Sequence, residues 1–134
     1  MQMPSQKLPE SVFTYSCTGD VCTGDTIMFE EAVFEGSFRK PRFAGNRKIA
    51  AHVLSDSYGE AKQQHTFSLE IIWCRGYDPI APGKRIRRMG RNVYRNGTRR
   101  MPWANEAERG VVLTEKHERG DKARLARDIR KGVV

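Results

Sequence analysis

Residues 84–100 concentrate positive charge in the stretch KRIRRMGRNVYRNGTRR, which contains no carboxylate. Guanidinium groups bind phosphate through two parallel hydrogen bonds and stack on flat rings, so arginine-rich stretches are typical of polyanion binding. The ring of Tyr94 adds a surface on which a base can stack. We therefore predict that this stretch contacts nucleic acid through Tyr94 and its eight cations, which are Lys84, Arg85, Arg87, Arg88, Arg91, Arg95, Arg99 and Arg100.

The net charge is distributed unevenly along the 134 residues of the chain. Residues 1–83 hold eight Lys or Arg and ten Asp or Glu, whereas residues 84–134 hold sixteen and six. The net charge of +8 therefore comes from the C-terminal part. A basic segment on a nearly neutral body is the pattern that captures nucleic acid. The same pattern fits an acidic protein, which is the alternative partner.

Acidic residues of the same chain could pair with these arginines in place of nucleic acid. The predicted C-terminal helix contains glutamates that could pair with Arg87, Arg88 and Arg91. Three glutamates of a predicted N-terminal strand are further candidates: Glu30, Glu31 and Glu35. Since residues 84–134 hold sixteen cations and six carboxylates, complete pairing within that part is impossible.

A second candidate site lies at residues 57–67, SYGEAKQQHTF. Glutamine and histidine can hydrogen-bond to base edges, so we predict contacts from Lys62, Gln63, Gln64 and His65. The alternative is an ordinary solvated turn between two strands.

The tandem repeat CTGDVCTGD spans residues 17–25. Two nearby cysteines resemble half of a zinc site, but zinc needs four ligands, usually as two close pairs. Cys74 and His65 would complete such a site without forming a second close pair. We therefore interpret the cysteines as small buried hydrophobic residues and expect no metal and no cofactor. No motif of the usual catalytic sets is present, so we predict that the chain is not an enzyme.

The elements that would position these residues indicate an α+β fold. Strands are predicted in four segments: residues 12–15, 25–36, 48–57 and 65–73. In the last segment Phe67, Leu69 and Ile71 share one face, as in a half-buried strand. Residues 38–48, FRKPRFAGNRK, are predicted to form an exposed loop. The expected fold is a small antiparallel sheet or barrel followed by one or two C-terminal helices.

The segment after Pro102 predicts helix, because alanine and alternating charges replace the strand pattern. An apolar stripe against the sheet is expected from Trp103, Ala107, Val111 and Val112. Gly120 is expected to end the first helix. We therefore expect a flexible segment at 1–11, a single domain at 12–118 and a basic helix or tail at 119–134. No run of apolar residues is long enough for a membrane span, and no secretory signal is expected.

The order of motifs also resembles a known domain. The motifs are SCTGDVCTGDTIMFEE, DSYGEAKQQHTFSLEIIW, GRNVYR and WANEAERGVVLTEKHERGDKARLAR. Across residues 16–127 they resemble an uncharacterised domain of plant nuclear proteins that combine it with a SAP domain and a CCCH-type zinc finger. The resemblance implies a plant source, a nuclear location and a nucleic-acid context. This chain itself lacks the spacing of a CCCH cluster, and no SAP helix pair is evident at its start.

Together these features predict a non-enzymatic nucleic-acid-binding module of the nucleus, with RNA favoured over DNA. The alternative is a protein-interaction module that binds an acidic partner through the same basic surface or through the C-terminal helix. Binding of a protein partner should depend on apolar anchors such as Val111 or Trp103, which distinguishes it from binding of nucleic acid.

Overall fold

The computed structural model describes residues 8–58, 65–130 and 132. After a 3-10 turn at Glu10–Val12, this part of the chain forms six strands and two helices. They are β1 (Tyr15–Ser16), β2 (Thr26–Gly36), β3 (Pro41–Tyr58), β4 (His65–Gly76), β5 (Arg85–Met89), α1 (Gly90–Tyr94), β6 (Thr98–Arg100) and α2 (Glu106–Arg130). The strands form one open antiparallel sheet in the order β1-β6-β2-β3-β4-β5. The predicted α+β class, with an antiparallel sheet and a C-terminal helix, is confirmed.

One face of the sheet carries the main hydrophobic core. Phe67, Leu69 and Ile71 of β4 are all buried there, so the period of two predicted for this strand is confirmed. Ile27 and Phe29 of β2 belong to the same cluster. Each of these side chains contributes about 1.5–3 kcal/mol relative to an exposed position.

Residues 8–13 cover part of the opposite face. Phe13 packs edge-on against Trp73, with ring centroids 6.5 Å apart. The indole Nε1 of Trp73 donates a hydrogen bond to the carbonyl oxygen of Leu8 at 2.8 Å. The described part of the segment predicted as a flexible lead, residues 8–11, therefore contacts the sheet.

Asp25, the last residue of the CTGD repeat, is fully buried and anchors the start of α2. Its Oδ1 accepts hydrogen bonds from Nε1 of Trp103 at 2.7 Å and from Nε of Arg109 at 2.8 Å. Its Oδ2 accepts from Nη2 of Arg109 at 2.9 Å and from the backbone N–H of Cys22 at 3.0 Å. The indole N–H of Trp103 therefore anchors the start of α2 to the buried carboxylate.

The predicted apolar stripe of α2 is wrong for Ala107 and Val111, whereas Trp103 and Val112 are half-buried. Val111 is 60% exposed and Ala107 is exposed, whereas Arg109 and Lys116 are buried. Nζ of Lys116 donates a hydrogen bond to the carbonyl oxygen of Val21. The side of α2 that faces the sheet therefore carries cations whose aliphatic parts are buried and whose charged groups donate to fixed acceptors. A hydrophobicity pattern does not reveal such an arrangement.

The predicted helix end at Gly120 is also wrong, because α2 continues without interruption to Arg130. Gly120 is buried, and the residues on both sides of it favour helix. A glycine inside a helix costs only about 1 kcal/mol, which such a long run of helix-forming residues outweighs. No helix among the described residues is long and apolar enough to cross a membrane.

The predicted loop at 38–48 is mostly strand. β3 begins at Pro41, so only residues 37–40 form the turn between β2 and β3. Phe34 pairs with Phe43 and Glu35 with Arg42 across the two strands. Proline and basic side chains are both compatible with the exposed start of a strand, which explains why this composition resembles a loop.

Candidate nucleic-acid interface

β5 divides the basic stretch between two faces of the sheet. Its residues alternate, so Arg85 and Arg87 lie on one face and Ile86 and Arg88 on the other. Arg85 and Arg87 are exposed, whereas Ile86 packs against the core. Arg85 lies 3.5 Å from Glu70, but its side chain is 76% exposed, so water screens this pair. Arg87 has no carboxylate partner among the described residues.

Arg88 is held inside the molecule by Glu31 of β2. Its Nε and Nη2 donate to the two carboxylate oxygens of Glu31 at 2.8 and 3.2 Å. Nε of Arg47 donates to the same carboxylate at 2.9 Å. Burial opposes ionisation of Glu31, but the hydrogen bonds and charges of Arg88 and Arg47 hold its pKa below the ordinary value. The sequence-based alternative that Glu31 neutralises part of the stretch is therefore correct for Arg88.

α1 and the residue directly after it present two further cations to solvent. Arg91 and Arg95 are exposed and lie one helical turn apart, and neither has a carboxylate partner among the described residues. Val93, between them in sequence, is buried in the core and fixes the helix on the sheet. We define the basic edge as the exposed cations of β5 and α1 and of the residues directly before β5 and after α1: Lys84, Arg85, Arg87, Arg91 and Arg95.

Arg99 and Arg100 act within the fold. Nε and Nη2 of Arg99 donate to the carbonyl oxygens of Phe13 and Thr14 at 2.9 and 2.7 Å. Arg100 is buried, and its guanidinium donates to both carboxylate oxygens of Glu106 at 2.9 and 2.7 Å. This hydrogen bond lowers the pKa of Glu106 to about 2. The two arginines thus connect β6 to the N-terminal segment and to α2.

Tyr94 and His65 also lie in partly buried positions. The ring of Tyr94 packs edge-on against Phe67, with centroids 6.0 Å apart, and its hydroxyl accepts a hydrogen bond from Val21 N–H at 3.1 Å. The imidazole of His65 lies 4.3 Å from the same phenylalanine ring. Burial, assisted by the charge of Lys116, lowers the pKa of His65 to about 4, so the ring is neutral at pH 7. Both side chains therefore pack on Phe67, at positions next to the exposed arginines: His65 lies beside Gly90, and Tyr94 directly precedes Arg95.

The remaining predicted contacts, Lys62, Gln63 and Gln64, lie outside the described residues. Among the described residues, no group of three or more His, Cys, Asp or Glu could hold a metal ion. Cys17 and Cys22 are buried, as predicted, and burial raises the pKa of both thiols to about 12.

Sequence reasoning assigned no binding role to the exposed turn between β2 and β3. Phe38, Arg39 and Lys40 are exposed there. The signal was present in the segment FRKPRF, where two phenylalanines flank three basic residues without an acid. We interpreted that segment only as a loop, because proline and charge obscured the strand pairing.

The described residues thus form an α+β domain with an open antiparallel sheet and a basic edge. Residues 22–103 match the family model described as "Domain of unknown function (DUF7699)", so the chain belongs to this family. The chain is also 42% identical over 133 residues to "Zinc finger CCCH domain-containing protein 62" of Oryza sativa subsp. japonica. This alignment covers 96% of the chain and 19% of the rice protein, so the chain corresponds to about a fifth of that relative's length. No solved structure matches the chain.

Proposed function

We propose that this domain is a non-enzymatic nucleic-acid-binding module in which the basic edge holds the sugar-phosphate backbone. The observation that carries the proposal is the set of five exposed cations in and beside β5 and α1, of which only Arg85 has a carboxylate partner among the described residues. Uncompensated cations at one edge attract a polyanion and release its counterions on binding. Arg88, Arg99 and Arg100 have hydrogen-bond partners within the fold and are not expected to touch the ligand.

RNA is favoured over DNA within this proposal. Flexible guanidinium groups can bind phosphates and also stack on unpaired bases, which single-stranded RNA presents more often than duplex DNA does. The rice relative is named as a CCCH zinc finger protein. We propose that the domain works in the nucleus as part of a longer plant protein of this kind, and the expected SAP domain would belong to that longer protein.

Fluorescence-anisotropy titration tests the proposal with single-stranded RNA, double-stranded RNA and duplex DNA at two salt concentrations. Five phosphate contacts on a single strand predict a slope of log K against log salt of roughly −3.5. The variant Arg87→Ala/Arg91→Ala should weaken binding and reduce the magnitude of the slope by about 1.4. Both side chains are exposed, so the variant should fold as the unmodified chain does, which far-UV circular dichroism checks.

The matched control is Lys122→Ala/Arg124→Ala, which removes the same charge from the exposed surface of α2. If both double variants weaken binding equally, the effect comes from net charge and not from the basic edge. Absence of binding to all three nucleic acids at low salt would refute the proposed function.

The second candidate function, a protein-interaction module, has support from α2. Val111, Leu125 and Ile129 are exposed apolar residues. At about 100° per residue they lie within roughly 40° of one another on the helix. Arg109 and Lys116, which contact the sheet, lie on the opposite side. This stripe is available to an apolar partner surface.

The two candidates respond differently to substitution. A protein partner bound through α2 should be lost in Val111→Asp and retained in Arg87→Ala/Arg91→Ala, and its binding should resist competition by polyanions. The opposite pattern would favour nucleic acid.

A further inference from the structure

β2 and β3 extend beyond their neighbours as a two-stranded hairpin. β6 pairs with β2 only from Ile27 to Phe29, and the pairing of β4 with β3 ends at Arg47. Residues 34–43, here called the hairpin finger, therefore have strand pairing only with each other among the described residues. The turn is closed by the backbone N–H of Lys40, which donates to the carbonyl oxygen and to Oγ of Ser37, both at 3.1 Å.

The base of the hairpin finger is supported by Tyr77. A Cβ at Gly45 would lie 2.9 Å from Cβ of Tyr77, so the tyrosine packs directly on the backbone of β3. The backbone N–H of Tyr77 donates to the carbonyl oxygen of Asn46 at 3.0 Å, and its hydroxyl donates to the carboxylate of Glu35. The hairpin finger is thus held at a fixed position against the sheet, and its carboxylate already has a partner.

Three phenylalanines of the hairpin finger face solvent. Phe38 at the turn is fully exposed, and Phe34 and Phe43 are 57% and 61% exposed. Phe34 and Phe43 are cross-strand partners on one face, with ring centroids 6.1 Å apart and a 73° angle between the rings. A cluster of aromatic rings at the exposed end of a braced hairpin is typical of an interaction surface, since single exposed apolar residues are common but clusters are not.

The same segment carries three exposed cations, Arg39, Lys40 and Arg42. None of them has a carboxylate partner among the described residues. The hairpin finger contains one acid, Glu35, so its net charge is +2. Its ligand must therefore be anionic and must also present flat apolar surfaces.

We propose that the hairpin finger is a second nucleic-acid contact that binds an unpaired single strand. Bases stack on Phe38 and on the Phe34–Phe43 pair, while the cations neutralise the adjacent phosphates. Combined stacking and charge neutralisation is the way in which proteins bind single strands without reading their sequence. In a duplex the base faces are stacked on each other and unavailable to these rings. The inference takes its ligand class from the proposed function, but it concerns different residues.

Titration of a labelled oligouridine strand with variants of Phe38 tests the inference. Phe38 is fully exposed, so its replacement does not affect the core. Phe38→Ala should weaken binding about 5- to 100-fold, as the loss of one stacked base predicts. Phe38→Trp should retain affinity, and Phe38→Leu should behave like Phe38→Ala. A strand of abasic sites has phosphates but no bases, so all variants should bind it equally.

Several results would overturn the inference. If Phe38→Leu retains full affinity, or if Phe38→Ala weakens binding to the abasic strand equally, the ring does not stack on a base. Vesicles containing phosphatidylserine and soluble polyglutamate serve as alternative anionic ligands. If Phe38→Ala abolishes binding to either of them and leaves oligouridine binding unchanged, the finger binds a membrane surface or an acidic protein instead.

Comparison with the variant of the basic edge separates the two proposals. If Arg87→Ala/Arg91→Ala weakens oligouridine binding and Phe38→Ala does not, the proposed function stands and the finger inference fails. If Phe38→Ala weakens binding and Arg87→Ala/Arg91→Ala does not, the finger inference stands and the basic edge is not the binding site. If the unmodified chain does not bind oligouridine, the finger inference is refuted, and the other nucleic acids then decide the proposed function.

Discussion

Replacement of Arg109 by methionine is the most direct test of how α2 is held on the sheet. Arg109 donates two hydrogen bonds to the carboxylate of Asp25 and a third, at 2.8 Å, to the carbonyl oxygen of Asp20. Methionine fills similar space but donates nothing. The variant Arg109→Met therefore leaves a fully buried carboxylate without its cation, while hydrogen bonds from Trp103 and Cys22 remain.

The expected loss is large, because a buried charge that loses its partner typically costs about 3–5 kcal/mol. This is a substantial part of the roughly 5–15 kcal/mol by which domains are stable. The double variant Asp25→Asn/Arg109→Met removes both charges, so it should lose less than the sum of the two single variants. The resulting coupling energy should be about 2–3 kcal/mol, at the upper end for residues in contact.

Equilibrium unfolding in urea, followed by circular dichroism at the helix band, measures these free energies. Arg124→Met is the matched control, because Arg124 pairs with Asp121 on the exposed side of α2 and should be close to neutral. A loss below about 1 kcal/mol for Arg109→Met, or additive single variants, would refute the reasoning that this buried pair fixes the helix.

Two further predictions concern the glycines of the CTGD repeat and the pH dependence of stability. Gly19 and Gly24 both have φ near +96°. A Cβ at Gly24 would lie 2.8 Å from the Trp103 ring, whereas a Cβ at Gly19 would have no atom within 4 Å. Gly19→Ala should therefore cost about 1–2 kcal/mol of backbone strain. Gly24→Ala should cost about 1–3 kcal/mol more, because the added methyl group overpacks against Trp103. Equal losses of unfolding free energy in urea would contradict the contact between Gly24 and Trp103. Because the pKa of His65 falls to about 4 in the fold, the unfolded chain binds more protons between about pH 6.5 and 4, and stability should fall as the pH drops through this window. Unfolding of His65→Gln across this window should show a smaller decrease than the unmodified chain, and identical curves would show that His65 does not contribute.

The sequence predicted the strands whose side chains alternate clearly. In β4, Phe67, Leu69 and Ile71 lie on the predicted buried face, because Ser68 and Glu70 between them are polar and mark the other face. β3 was predicted too short, because its first residues lie in the exposed hairpin finger and have no buried face to produce alternation. A strand shows alternating apolar and polar residues when one of its faces is buried, so an exposed strand lacks this alternation.

The sequence did not indicate which arginines of the basic stretch have partners within the fold, for a physical reason. Charge counts treat all arginines equally, whereas the fold directs Arg88 towards Glu31 and Arg100 towards Glu106. These partners are 57 and 6 residues away, respectively. Strand register decides which guanidinium faces the interior, and that register depends on pairing that one sequence does not reveal. The cations of α2 were missed similarly, since a buried lysine with a carbonyl acceptor has the same sequence signature as an exposed one.

The position of β5 has a consequence for self-association. β5 lies at the end of the sheet and pairs with β4 alone among the described strands, so its outer side offers unpaired backbone groups. Such edges template the growth of a sheet from one molecule to the next, and charged side chains are a common protection against it. A second copy approaching β5 in antiparallel fashion would bring the exposed side chains of Arg85 and Arg87 close to the same arginines of the first copy. The repulsion opposes edge-to-edge aggregation, so the residues proposed to hold a polyanion also keep the sheet from extending when that polyanion is absent.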